Sequence, residues 1–145
     1  MSRVNYAYLV WGTTTGTNKN KIYVLQKKAL RAILNIGSDI NTCDLFRQFR
    51  AVKLSEMYNV RLAERYKKDL RQNVNYLRDT AHLSLNVQVY PSRHSELWHI
   101  PTCRTIYGTY SLANTLPRLL NKFHAAKVHV SRACHKDIQD VCATF

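Results

Sequence analysis

The chain has 145 residues, enough for one ordinary domain with a modest core, and its 46% hydrophobic content argues against wholesale disorder. Lys and Arg total 22 against 9 acidic residues, a net charge of +13 with neutral His. A surface of that sign attracts polyanions, nucleic acid first and an anionic membrane surface second. With only 4 Gly and 3 Pro, a sheet-rich fold built on tight turns is disfavoured and helices are expected.

Residues 4–11 (Val-Asn-Tyr-Ala-Tyr-Leu-Val-Trp) are apolar and stop at Gly12 and the Thr13-Thr14-Thr15-Gly16 stretch. The run Tyr6–Trp11 is too short for a signal peptide, which needs about 7–15 apolar residues, or a membrane span, which needs about 20. The protein therefore reads as intracellular, with Cys43, Cys103, Cys134 and Cys142 as reduced thiols. An opening on a core-like aromatic run suggests an element continued from upstream, as in a fragment.

Asn18 is a candidate N-cap for a helix ending near Gly37. Ile22, Leu25, Ala29 and Ile33 form its apolar stripe, widened by Val24, Leu30 and Ile36. Lys19, Lys21, Lys27, Lys28 and Arg31 form a cationic face. Asn41 or Thr42 can cap a short helix bearing Leu45 and Phe46. Ser55 is a candidate cap for a longer helix that runs to about residue 78. It carries Met57, Tyr58, Leu62, Tyr66 and Leu70 on one side, and Arg61, Arg65, Lys67, Lys68 and Arg71 on the other.

Leu83, Leu85, Val87 and Val89 alternate with polar residues, a strand period that Pro91 stops. Residues 93–105 show no period and read as an irregular arm. Order returns near Thr115, with Pro117 in the first turn of a helix carrying Leu119, Leu120 and Phe123. A last helix is expected from Ser131, with Cys134, Ile138, Val141, Cys142 and Phe145 on one face.

Residue patterns for catalysis are missing. Gly12-x-x-x-Gly16 lacks the Lys-Ser/Thr of a phosphate loop, no Gly-x-Ser-x-Gly elbow occurs, and no two acidic residues adjoin. His94, His99 and Cys103 form one group of candidate zinc ligands, and His129, Cys134, His135 and Cys142 a second. Neither contains a Cys-x2-Cys or His-x3-His pair, and Cys134 and Cys142 fall on an apolar stripe, so these residues are read as structural.

Residues 19–36 contain no acidic residue. On a merely solvated helix, Glu usually interleaves with Lys to form i, i+4 pairs. The imbalance points to phosphate-backbone contact through Lys19, Lys21, Lys27, Lys28, Arg31, Arg61, Arg65, Lys68 and Arg104. Tyr6, Tyr8, Trp11, Tyr23, Tyr58, Tyr66, Trp98, Tyr107 and Tyr110 are candidates for base stacking. Tyr107 and Tyr110, on the irregular arm, are favoured; Tyr107 joins the candidate site.

Tyr6-x-Tyr8-Leu9-Val10-Trp11-Gly12 resembles the apolar-Trp-Gly segment that follows the palm in jockey-like non-long-terminal-repeat reverse transcriptases. Leu25-Gln26-Lys27-Lys28-Ala29-Leu30-Arg31-Ala32-Ile33 is similar to the basic helix that comes next in that family. Thr42, Leu45 and Phe46 match a Thr-x-x-Leu-Phe segment, and Leu54 with Tyr58, three residues between them, resembles the helix that follows it, one residue short of the family's Leu-x-x-x-x-Tyr spacing. Arg104-Thr105-Ile106-Tyr107-Gly108-Thr109-Tyr110-Ser111, then Leu116-Pro117-Arg118-Leu119-Leu120-Asn121, resemble the family's tail, most closely that of arthropod elements such as those of ticks. The blocks cover nearly the whole chain.

The resemblance implies a chain that starts in the thumb. The family's Ala-Asp-Asp motif, which holds two Mg²⁺ in the palm, has no counterpart here, because the sequence contains no Asp-Asp. The expectation is a mainly α fold: a small basic helical domain of about four to five helices with an irregular arm around residues 81–114. Residues 1–80 would be the thumb-like basic region, 81–114 the arm or linker, and 115–145 a C-terminal helical segment. The chain alone would be no enzyme and hold no cofactor, Mg²⁺ belonging to the absent palm. Its expected partners are RNA or an RNA–DNA hybrid and the missing palm and fingers, with no membrane and no small-molecule substrate. The alternative is a segment that only docks on the palm.

Overall fold

The computed structural model describes residues 14, 16–37, 41–49, 51–87 and 96–143, the side chains of Arg47 and Ser55 excepted. Among them are seven helices and no strand: α1 (Gly16–Leu34), α2 (Thr42–Gln48), α3 (Leu54–Arg71), α4 (Tyr76–Thr80), α5 (Ile106–Thr109), α6 (Leu112–Ala125) and α7 (His135–Ala143). The chain is a small, mainly helical protein. It exceeds the four to five helices expected because the long central helix divides in two and α5 forms within the arm. Two compact units are distinguished, Met1–Tyr58 and Asn59–Phe145, with the boundary inside α3. The apolar start at 4–11 lies outside the described residues, as do Val89, Pro91, His94 and Phe145.

In the first unit α1 starts at Gly16, so Asn18 lies within the helix and donates its side-chain N–H to Thr14 Oγ1 at 3.3 Å. Only part of the predicted stripe is covered: Ile22, Leu30 and Ile36 are half-buried, whereas Leu25 is 61% exposed and Ile33 78%. The covered side runs along Tyr23, Gln26, Leu30 and Leu34, all half-buried and spaced three, four and four apart. Tyr23 stacks on Phe46 of α2, with ring centroids 5.9 Å apart. Asn41 caps α2, accepting from the Cys43 N–H at 3.0 Å, and α2 buries Thr42, Leu45 and Phe46. Gln26 replaces Ser55 as the cap of α3. Its Oε1 accepts from the Leu54 N–H at 3.0 Å and its Nε2 donates to the Val52 carbonyl at 2.9 Å.

In the second unit the buried apolar residues are Val60, Leu62, Ala63, Tyr66, Leu77, Ala81, Leu116, Leu119, Leu120, Phe123, Val130, Ala133, Ile138 and Cys142. The predicted helix to residue 78 breaks after Arg71, and Leu70 is exposed. Buried Asp69 accounts for the restart: its carboxylate accepts from the Leu77 N–H at 3.3 Å, capping α4 from the preceding helix. α6 starts at Leu112, ahead of the expected Thr115, so Pro117 sits inside the helix rather than in its first turn. Pro117 has no N–H to return to the Ala113 carbonyl; its burial, with Leu116 and Leu119, outweighs that loss.

Among its described residues, 83–87, the strand period yields one antiparallel bridge, Leu85 with Trp98, rather than a strand. The Asn86 N–H donates to Leu97 and the His99 N–H to Ser84. Two asparagines of α6 tie this irregular segment down. Asn121 accepts from the Trp98 N–H at 2.8 Å and donates to its carbonyl at 2.9 Å. Asn114, fully buried, donates to the Pro101 carbonyl at 2.7 Å.

The last helix starts at His135, not Ser131, because a capping box forms at Cys134. The Cys134 N–H donates to the Asp137 carboxylate at 2.7 Å, and the Asp137 N–H donates to Cys134 Sγ at 3.4 Å. Cys134 is accordingly exposed and off the apolar stripe, whereas Ile138 and Cys142 are buried on it.

Candidate nucleic-acid interface

Both units are basic. Residues 1–58 carry nine Lys and Arg against three acidic residues, and 59–145 carry thirteen against six. The charge therefore cannot be assigned to a single tail, and the candidate residues separate into a group in each unit.

On α1, Lys21 and Lys28 lie seven residues apart, share one side of the helix and are exposed. Lys19, Lys27 and Arg31 lie toward the half-buried side. Lys27 Nζ sits 4.3 Å from the centroid of the Tyr23 ring, a cation–π contact. Burial pushes the Lys19 ammonium below the usual lysine value. Of the five candidates on this helix, the structure leaves Lys21 and Lys28 most open to a large polyanion.

On α3, Arg61 and Arg65 are exposed but engaged. Arg61 pairs with Glu64 at 3.0 Å and Arg65 with buried Asp69 at 3.3 Å. A surface pair such as Arg61–Glu64 contributes little to stability, about 0.3–0.5 kcal/mol at helical spacing, yet both pairs reduce the charge offered to a ligand. Lys68 and Arg71 have no carboxylate partner among the described residues.

These two, with Glu64, Lys67, His135 and Ile138, line a cavity of about 170 Å³. Lys67 Nζ donates to the Ala133 carbonyl, which ties α3 to the segment leading into α7. His135 Nδ1 lies 2.6 Å from Glu64 Oε1, and its Nε2 lies 2.9 Å from Gln139 Nε2. Lys67, Arg71 and His135 were not among the residues singled out for the site. The i, i+3, i+4, i+7 spacing of Glu64, Lys67, Lys68 and Arg71 shows their shared face; nothing in the sequence brings His135 to it.

Arg104 is exposed, and three residues on, Tyr107 at the start of α5 is 82% exposed. Tyr58 and Tyr66 are buried, Tyr23 is stacked on Phe46, and Trp98 and Tyr110 are half-buried. Of the described stacking candidates, Tyr107 alone offers an open ring. Tyr76, 61% exposed on α4, is a second open ring that periodicity did not single out.

All four cysteines are free. Among the described residues no three His, Cys, Asp or Glu side chains gather as a metal site, and no helix is long and apolar enough to cross a membrane. Cys103 Sγ accepts from Asn114 Nδ2 at 3.1 Å, and Cys134 caps a helix, so both have structural contacts. No family model, curated protein or solved structure matches this chain.

Proposed function

We propose that this chain is the thumb and C-terminal segment of a non-long-terminal-repeat retrotransposon reverse transcriptase, without the catalytic palm, and that it binds RNA or an RNA–DNA hybrid. The observation that carries the reading is the run of residues 19–36, which has five cations and no carboxylate and leaves Lys21 and Lys28 exposed. Lys68, Arg71, Arg104 and the open ring of Tyr107 add further contacts of the kind that grip a phosphate backbone and stack a base. The family comes from the motif blocks. In this reading the chain is no enzyme by itself, Mg²⁺ belongs to the absent palm, and the protein acts inside the cell. A filter-binding titration on an RNA–DNA hybrid across salt tests it. Affinity should fall steeply with salt as condensed counterions compete; weak, flat binding at low salt would sink it.

A second reading is favoured by one observation: α1 has no buried residue, and its Leu25 and Ile33 stay exposed. A helix with that face suits docking on the palm. In that case the chain alone melts without a cooperative transition; a sharp two-state melt would speak against it.

A further inference from the structure

We propose that the cavity lined by α3 and the start of α7 is a binding site for a dianionic phosphate, either inorganic or a monoester. Its volume of about 170 Å³ is large for a water pocket; one water needs only about 10–15 Å³ of such space. Lys67, Lys68 and Arg71 line it on α3, and His135 lines it on α7. Lys67 is held by the Ala133 carbonyl, so its ammonium is fixed and keeps two further N–H donors. Arg71 has no carboxylate partner among the described residues, and its planar fork matches two phosphate oxygens at once.

The one carboxylate in the wall, Glu64, is already engaged: Oε2 pairs with Arg61 at 3.0 Å and Oε1 faces His135 Nδ1. Asp137, in the same first turn of α7, is turned onto the Cys134 N–H. The apolar wall supplied by Ile138 excludes water from one side, which strengthens the remaining charge contacts.

The concave arrangement selects a terminal phosphate over one within a chain. A backbone diester has two free oxygens and one negative charge. A monoester has three free oxygens and about −1.5 to −2 charges at neutral pH, and the three cations of α3, Lys67, Lys68 and Arg71, can meet all three oxygens. The phosphate is either free in solution or the 5′ end of a nucleic acid; only the second source rests on the proposed function.

The test follows the His135 ring signals of the full chain by NMR while inorganic phosphate is added at constant ionic strength. The expected result is a saturable shift that chloride does not produce. Lys68→Gln and Arg71→Gln, both at exposed positions, should each weaken it about tenfold, the size of one lost charged hydrogen bond. A 5′-phosphorylated oligonucleotide that produces the same shift, where its 5′-hydroxyl counterpart does not, identifies the nucleic-acid end as the source. Equal behaviour of the two oligonucleotides, with the phosphate shift intact, identifies free phosphate. Salt-sensitive oligonucleotide binding with no His135 shift from either phosphate source overturns the pocket and leaves backbone binding standing. A shift unaffected by Arg71→Gln overturns it as well.

Discussion

Among the described residues, four helix ends bring a residue with a Cβ into left-handed backbone: Asn35, Asn73, His82 and Lys127, at φ of 52°, 52°, 48° and 55°. Each end closes with the same pair of backbone hydrogen bonds. After α1, Ile36 donates to the Arg31 carbonyl and Asn35 to that of Ala32; after α6, Val128 donates to Phe123 and Lys127 to His124. Glycine usually takes this position, and a side chain there costs about 1–2 kcal/mol. Lys127→Gly should therefore raise stability by about 1 kcal/mol in urea titrations, after the entropy of a freer unfolded chain is subtracted. A drop in stability would show that the Lys127 side chain makes a needed contact.

A second residue-scale prediction concerns Asp137. The hydrogen bond from the Cys134 N–H, with a further one to the Cys134 side chain, holds its carboxyl below the usual value. A lowered folded value means that the stabilisation is complete above the unfolded value, about pH 4, and is lost as pH falls through the folded one. Asp137→Asn removes the charge and keeps the shape. The stability gap between the two proteins should be open at pH 7 and close on acidification. A gap independent of pH would reject the charged cap.

At the scale of elements, periodicity locates helices better than it orients them. It found α1, yet the side that packs is set by Tyr23 on Phe46 and Gln26 on residues 52–54, not by the greasiest stripe. Gln26 reads as a solvent residue in sequence because a glutamine has no periodic signature. In the fold it satisfies one donor and one acceptor of another segment. Gln26→Ala should cost about 1–3 kcal/mol by leaving both groups unpaired, and amide exchange should quicken at Leu54 first. Unchanged protection there would show that water replaces the side chain. The split between α3 and α4 has the same origin. Charged Asp69 looks like one more surface residue in a helical pattern, but its buried carboxylate starts a new helix eight residues on.

For the whole molecule, the charge is shared by both units, so binding should not depend on one tail. If Lys21 and Lys28 each meet a phosphate, Lys21→Gln with Lys28→Gln lowers the salt slope of hybrid binding by about 2, close to 0.9 per contact. Their exposure keeps the fold intact, so a melting temperature that does not move is the control. An unchanged slope would assign binding to the second unit.

The residue order by itself determined the helical class, the basic surface and the missing carboxylate pair, because each follows from composition or local period. It also carried the motif blocks from which the proposed family is drawn. Tertiary structure decided what depends on groups distant in the chain. It set which face of α1 is covered, and it joined Asn114 and Asn121 to the irregular segment. It spent Arg61 and Arg65 on ion pairs while leaving Lys68 and Arg71 open, and it brought His135 beside Glu64, seventy-one residues earlier in the chain. Side-chain amides and charges have no period, so their partners appear only once the chain has folded.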